Sequence, residues 1–339
     1  MTLQNTLRWE DPVWLTGAHT WIHAETARSG IRVTGDIEQP HAYPWSTVLR
    51  IPSSEGTLFF KATAAETIHE AALTERLAAW FPDCIPELVA VDRSRGWMLM
   101  RDGGEQLRVR IRPSKDTRPW APVIARYARM QIECSQHVPE LLALGVPDWR
   151  LAKLPARFQE LLEDTRILRV GQPGGLTIEE LGELNRLLPR FDDICSRLSA
   201  VRIPESINHG DLTDGNVLVR GDRITFFDWG DANITHPFVS LRTLFVSVEI
   251  SLELDGDDYG LSTEMMDLLN VYLAEWEVLL PRHELDHAFS LSRCVASAVK
   301  ALGWHQTVSP LEGSIREEYA WIVPEVLREF LIYESLLHD

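Results

Sequence analysis

Acidic and amide side chains that could bind a metal ion and accept a proton are concentrated in one segment of the chain. The segment, residues 207–231, reads INHGDLTDGNVLVRGDRITFFDWGD. Transfer of a phosphoryl group requires a carboxylate beside the attacking hydroxyl and oxygen ligands that hold magnesium on the phosphates. We therefore expect Asp211 to orient an acceptor hydroxyl and to take its proton. Asn216 and Asp228 are expected to bind magnesium.

The local pattern around these residues predicts a short hairpin. Residues 217–219 and 224–227 are apolar enough for two buried strands, and residues 221–222 (Gly-Asp) are typical of the turn between them. An antiparallel pair of this length brings Asn216 and Asp228 together at its open end. Asp and Asn are also common in turns for purely structural reasons. The ordered combination of His-x-Asp, Asn, hairpin and Asp favours the functional interpretation.

The motif HGDLTDGN, followed by FFDWGDA, resembles the aminoglycoside phosphotransferase and choline kinase-like family of the protein-kinase-like fold. The resemblance implies an α+β bilobal protein, with a small antiparallel-sheet N-terminal lobe (1–102) and a mainly helical C-terminal lobe (103–339). It implies ATP and Mg²⁺ as cofactors and transfer of the γ-phosphate to a hydroxyl of a small molecule, such as an aminoglycoside, a sugar or an amino alcohol. His209 is expected to be structural.

The first lobe is predicted from periodicity and turn signals. A leading helix spans 12–29, and three strands follow at Ile31–Gln39, Ser46–Ile51 and Thr57–Ala62, separated by the turn-rich HAYP and PSSEG. Sequential strands of this kind indicate an antiparallel meander. The segment AAETIHEAALTERLAAWF predicts a strong amphipathic helix, and IPELVAVD and GWMLMRD predict two further strands.

A lysine in the third strand and an acid in the following helix could form a nucleotide-binding pair. In kinase-like folds such a lysine contacts the phosphates and the glutamate holds it. The resemblance assigns these roles to Lys61 and Glu70. Glu70 is favoured because an inward-turning acid there could meet Lys61, with Glu75 as the fallback partner and Glu66 as a weaker one.

The connection after the fifth strand is the expected contact with the adenine ring. The backbone of residues 99–102, including Met100, would lie against its edge. Protein kinases cover the phosphates with a glycine-rich loop between the first two strands, whereas this chain has QPHAYPWST there, without glycine. How the phosphates are covered is therefore open. The following LRVRIRPSKDTR is expected to be a solvated strand or loop, and helical periodicity begins near Pro119.

Composition limits the classes of partner and compartment. The net charge of −17 over 339 residues argues against nucleic acid as the main partner and is compatible with a cationic acceptor. The acidic run Glu249–Asp258 could face that acceptor, although a solvated loop is favoured. Four scattered cysteines predict free thiols in a reducing compartment. With no signal peptide and no apolar run long enough for a membrane span, we expect a cytoplasmic protein without a membrane partner.

Two other functions fit parts of the sequence. HELDH at 283–287 matches the helical His-Glu-x-x-His zinc motif of metallohydrolases, although Pro281 and Arg282 place it at a helix start. The second alternative is a catalytically silent, kinase-like nucleotide-binding module. Such modules usually lose the strand lysine or one of the loop acids, and this chain retains Lys61, Asp211, Asn216 and Asp228.

Overall fold

The computed structural model describes residues 7–254 and 260–337, and the chain divides into two units. The first unit comprises the described residues through Gln106 together with Asn216–Gly230, and the second comprises Leu107–Gly215 and the chain from Asp231 onward. Residues 255–258 of the predicted acidic run lie outside the described residues. The functional division at residue 102 stays a prediction.

The first unit is built on an antiparallel sheet in the order β1-β2-β3-β5-β4. Its elements are α1 (Pro12–Arg28), β1 (Glu38–Tyr43), β2 (Ser46–Ser53), β3 (Gly56–Thr63), α2 (His69–Trp80), β4 (Leu88–Asp92), β5 (Trp97–Arg101) and β6 (Glu105–Gln106). The expected meander and the two later strands are confirmed. The bounds of the first strand were predicted wrongly: of Ile31–Gln39 only the last two residues belong to β1, and Val33 forms an isolated bridge.

The displaced first strand is explained by the turn that follows it. Tyr43 pairs directly with Ser46, so the reversal needs only the two residues between them, and HAY extends the strand where a longer turn was expected. Helix α1 begins as predicted: Asp11 caps it by accepting a hydrogen bond from the Val13 amide at 2.7 Å.

Aromatic side chains fill the core between α1 and the sheet. Phe60 and Trp97 of the sheet pack edge-on, with ring centroids 5.4 Å apart, and Trp14 and Trp21 of α1 contact both rings. This packing fixes β3, the strand that carries Lys61, against its neighbours.

The chain then enters the second unit through α3 (Leu107–Ile111), α4 (Trp120–Cys134), α5 (Val138–Ala143), α6 (Leu154–Glu163), α7 (Thr165–Leu168), α8 (Ile178–Ala200) and β7 (Ser206–Asn208). It returns to the first unit for the hairpin β8 (Val217–Arg220) and β9 (Arg223–Phe226), where β8 also pairs with β6. The second unit continues with β10 (Asn233–Thr235), α9 (Ser240–Leu252), α10 (Thr263–Trp276), α11 (Arg282–Val308), α12 (Gly313–Tyr319) and α13 (Ile322–Ser335). The α+β fold with a mainly helical second part is thus confirmed.

The segment LRVRIRPSKDTR is another correction. It begins with helix α3 instead of a solvated strand or loop, and Arg108 and Arg112 both approach the fully buried Asp214. A five-residue helix is too short to be stable alone, so these long-range ion pairs help to hold it. No helix among the described residues is long and apolar enough to cross a membrane.

Candidate active site

The first unit contains a buried cluster of one ammonium and two carboxylates. Lys61 Nζ donates to Glu70 Oε1 and to Asp228 Oδ1, each at 2.6 Å. Lys61 is 6% exposed and Glu70 1%. Burial alone would lower the pKa of Lys61, but the Asp228 and Glu70 carboxylates outweigh that effect and raise it above its usual value. The lysine is therefore held in its charged form.

The surrounding elements explain why Glu70, and not Glu75, meets the lysine. Glu70 lies in the first turn of α2, and its Oε1 also accepts from the backbone amide of Trp229 at 3.1 Å. Glu70 thereby ties the loop after β9 to α2. Glu75 lies on the surface and pairs with Arg93 at 2.6 Å.

The hairpin β8–β9 positions the two proposed metal ligands. Val217 pairs with Phe226, and the amide of Phe227 donates to the carbonyl of Asn216 at 3.2 Å. Asn216 thus lies beside the residue that precedes Asp228. Asp228 has a φ of +66°, a backbone conformation that is strained for a residue with a Cβ and is concentrated at functional sites.

These side chains have the chemistry that magnesium prefers. The Asp228 carboxylate is 45% exposed, and together with the Asn216 amide it offers hard oxygen ligands of the kind that hold magnesium on nucleotide phosphates. In the described ranges no three His, Cys, Asp or Glu side chains are grouped as a metal site. The HELDH hypothesis therefore gains no third ligand from these residues.

Met100, the residue expected near adenine, lies in β5. It is 8% exposed and packs with Met98 and Ala71. Met100 is the penultimate residue of β5, and the contact of its backbone with adenine stays a prediction.

In the second unit, a network of polar side chains fixes the loop that carries Asp211. The loop follows β7, which pairs with β10. The amide of His209 donates to the hydroxyl of Tyr127 at 3.0 Å, and the amide of Gly210 donates to Asn208 Oδ1 at 3.2 Å. His209 is fully buried, and its Nδ1 accepts from the Asp211 amide at 3.3 Å. This arrangement agrees with the structural role expected for the histidine.

The middle residue of His-Gly-Asp must be glycine for two reasons. Gly210 has a φ of +77°, and a Cβ at this position would collide with the backbone carbonyl of Asp231. The loop therefore contacts the segment after the hairpin at Gly210. Asp211 follows directly, and its side chain is 40% exposed.

Sequence reasoning missed a lysine that lies against this loop. Lys300 of α11 donates to the Gly210 carbonyl at 3.0 Å, and its Nζ is 3.7 Å from Asp211 Oδ1 and 3.8 Å from Asp231 Oδ2. The available signal was a single charged residue inside the apolar run VASAVKALGW. Its position 89 residues after Asp211 gave no reason to connect the two.

A second missed feature anchors the other end of the same loop. Asp214 is fully buried and accepts two hydrogen bonds from Arg112, at 2.8 and 3.0 Å, and one from Ser251 at 3.0 Å. Arg108 lies directly over Gly215, where a Cβ would collide with the guanidinium group. The loop between Asp211 and Gly215 is thus fixed at both ends within the second unit.

A small cavity adjoins Gly210 in the second unit. Trp149, Asp231 and Lys300 contribute to its wall. The ring centroid of Trp304 lies 5.7 Å from Lys300 Nζ. Arg242 lines both this cavity and a neighbouring one with a largely aromatic and aliphatic wall.

The fold matches those of kinase-like enzymes that act on small molecules. A choline kinase from Cryptosporidium parvum is 12% identical, with a TM-score of 0.62 and 96% of each chain covered. A choline/ethanolamine kinase family protein from Mesorhizobium loti is 16% identical, with a TM-score of 0.59, covering 96% of this chain and 95% of the other. A putative aminoglycoside phosphotransferase from Ralstonia eutropha is 14% identical, with a TM-score of 0.56 and coverages of 94% and 98%. These matches establish a protein-kinase-like phosphotransferase fold.

A family model confirms the class from the sequence. The model described as the phosphotransferase enzyme family matches residues 45–248, which is more than half of the 339 residues. The chain belongs to the phosphotransferase enzyme family, and it is a small-molecule phosphotransferase. No curated protein matches it.

Proposed function

We propose that this phosphotransferase moves the γ-phosphate of ATP, as its magnesium complex, to a hydroxyl group of a small, amine-bearing molecule. The observation that carries the proposal is the Lys61–Glu70–Asp228 cluster, in which a buried ammonium is held by two carboxylates at 2.6 Å. A lysine fixed by a helix glutamate is the phosphate-binding device of kinase-like enzymes.

Each residue then has a defined task. Lys61 binds the α- and β-phosphates, Glu70 holds its ammonium in place, and the backbone beside Met100 accommodates adenine. Asn216 and Asp228 supply oxygen ligands to magnesium, which neutralises charge on the phosphates when it is bound.

Asp211 acts on the acceptor. Its carboxylate accepts a hydrogen bond from the attacking hydroxyl, orients the oxygen toward the phosphorus and takes the proton as the new bond forms. The half-exposed carboxylate, on a loop anchored at both ends, suits this task because a general base must be accessible and rigidly placed.

Charges around the cavity support an amine-bearing acceptor. The carboxylates of Asp211 and Asp231 flank the single ammonium of Lys300, so this trio carries one net negative charge. The guanidinium of Arg242, which also lines the cavity, is paired with Glu329 through Nε at 2.8 Å. Choline, ethanolamine and aminoglycosides, named for the structurally similar enzymes, all carry a cationic nitrogen.

The expected location in the cytoplasm is part of the proposal. All four cysteines are free thiols, which agrees with a reducing compartment. ATP is available there as the phosphoryl donor.

The test is magnesium-dependent ADP release against a panel containing choline, ethanolamine, homoserine, a sugar and an aminoglycoside. We expect one acceptor class to stimulate the wild type. Asp211→Asn should retain nucleotide binding but lose turnover by at least about 10²-fold, whereas Asp228→Ala should lose magnesium-dependent nucleotide binding as well. Asp222→Asn, in the exposed hairpin turn, is the matched control and should remain fully active.

The same experiment separates the proposal from the silent-module alternative. A wild type that binds nucleotide yet is stimulated by no acceptor favours a non-catalytic module. Full activity in Asp211→Asn would show that the proton acceptor has been assigned wrongly.

A further inference from the structure

We infer that Lys300 is a positioning residue for the phosphoryl transfer: its ammonium holds the carboxylate of Asp211 in the orientation that the acceptor hydroxyl requires. The inference rests on the role proposed for Asp211. Neither the nucleotide-binding cluster nor the His-Gly-Asp motif includes this lysine, which comes from helix α11.

Three oxygens surround the ammonium within the second unit. The carbonyl of Gly210 accepts its hydrogen bond at 3.0 Å, and carboxylate oxygens of Asp211 and Asp231 lie at 3.7 and 3.8 Å. The Lys300 side chain is only 16% exposed, while the two carboxylates are 40% and 44% exposed. The cation is thus the inner member of the group, and the acids face outward from it.

A purely structural role explains this arrangement less well. The Gly210 carbonyl also accepts a hydrogen bond from the Thr243 hydroxyl at 3.4 Å, so a neutral donor is already available to it. Burying most of a charged side chain is unfavourable unless opposite charges compensate. The two carboxylates provide that compensation, and Lys300 in turn prevents their mutual repulsion.

The geometry couples the lysine to the orientation of Asp211. Gly210 immediately precedes Asp211, so one ammonium contacts both the backbone before the proposed base and the carboxylate itself. Without the cation, the carboxylates of Asp211 and Asp231 would repel each other and rotate toward solvent. A displacement of about 1 Å in a reacting group can reduce the rate by about 10²-fold.

The substitution Lys300→Met keeps the length and apolar stem of the side chain and removes its charge. We expect kcat for the stimulating acceptor to fall about 10²-fold, with the KM for magnesium-ATP within twofold of wild type, since the residues proposed to bind nucleotide belong to the first unit. Lys300→Arg keeps the charge and should recover at least about tenfold of the lost kcat.

The matched control is Lys153→Met, which removes another lysine of the second unit, one that pairs with Asp148 at 2.6 Å. It should leave kcat and KM unchanged. Thermal melts of all variants identify any loss of activity that merely follows unfolding. A crystal structure of Lys300→Met should show the Asp211 carboxylate moved from its wild-type position.

The possible outcomes distinguish this inference from the proposed function. A wild type with no turnover on any acceptor contradicts the proposed function, and the inference falls with it. An active wild type beside a Lys300→Met variant of equal kcat, or an arginine variant as slow as the methionine variant, overturns the inference alone.

Discussion

Removing one charge from the buried cluster of the first unit tests whether Glu70 holds Lys61 for nucleotide binding. The substitution Glu70→Gln preserves the shape of the side chain and an oxygen that can accept from Lys61 Nζ and from the Trp229 amide. It deletes one of the two carboxylates that lie at 2.6 Å from the ammonium.

The size of the effect follows from burial. Truncating one partner of a buried ion pair costs about 3–5 kcal/mol, but Asp228 still compensates Lys61 and glutamine retains the hydrogen bonds. Hydrogen bonds to charged groups contribute about 1.5–3 kcal/mol and neutral ones about half as much. We therefore expect a loss of about 1–3 kcal/mol in the free energy of unfolding of the first unit.

Helix α2 supplies its own control. Glu75→Gln makes the same chemical change in an acid that also pairs with a cation at 2.6 Å, but the Glu75 side chain is 41% exposed, whereas that of Glu70 is 2% exposed. Exposed pairs contribute about 0–1 kcal/mol. The control should therefore be close to wild type in stability and in nucleotide affinity.

Urea unfolding and the KM for magnesium-ATP are the two measurements. A Lys61 ammonium held by one carboxylate instead of two should raise this KM about tenfold, which corresponds to about 1.4 kcal/mol. The reasoning is refuted if Glu75→Gln is as damaging as Glu70→Gln, or if Glu70→Gln changes neither quantity.

Two further substitutions test the second unit. Gly210→Ala should abolish most activity and lower the melting temperature, because Gly210 has a φ of +77° and an added Cβ would collide with the Asp231 carbonyl. The control Gly182→Ala, in open space on a helix, should be neutral or stabilising by up to about 1 kcal/mol. Equal effects of the two substitutions would contradict this reasoning. Burial lowers the pKa of His236 to about 3, below its unfolded value of about 6.5. The unfolded chain therefore binds the proton first, and stability that is fully present above pH 6.5 is lost as the pH falls toward 3. His236→Asn, which can still accept from the Phe238 amide, should flatten that slope in urea titrations across this range; an unchanged slope would show that other groups dominate.

Local patterns were sufficient to predict the hairpin and its flanking acids. A glycine-containing turn joins the strands β8 and β9, and two paired strands of four residues each leave little choice of register. The same is true of the presence of α1 and α2, which follows from apolar periodicity, although α2 begins at His69, five residues after the start of the predicted segment. The pairing of Lys61 with Glu70 also follows from helix geometry, once the strand and helix are assigned.

Features that depend on distant packing could not be predicted in the same way. Strands β7 and β10 have three residues each, too few for a periodic signal, and they are separated by the hairpin. The role of Asp214 requires Arg112, about a hundred residues earlier, and the role of Lys300 requires the packing of α11. Each interaction joins residues that share no local pattern.

The path of the chain gives the two predicted functional loops separate supports. It passes from the second unit to the first between Gly215 and Asn216, and returns between Gly230 and Asp231. Asp211 therefore depends on the second unit, whereas Asp228 depends on the first unit through Lys61. Because Glu70 contacts Lys61 and the Trp229 amide in the first unit, a change at Glu70 should mainly affect nucleotide binding. Because Lys300 contacts the Gly210 carbonyl in the second unit, a change at Lys300 should mainly affect kcat.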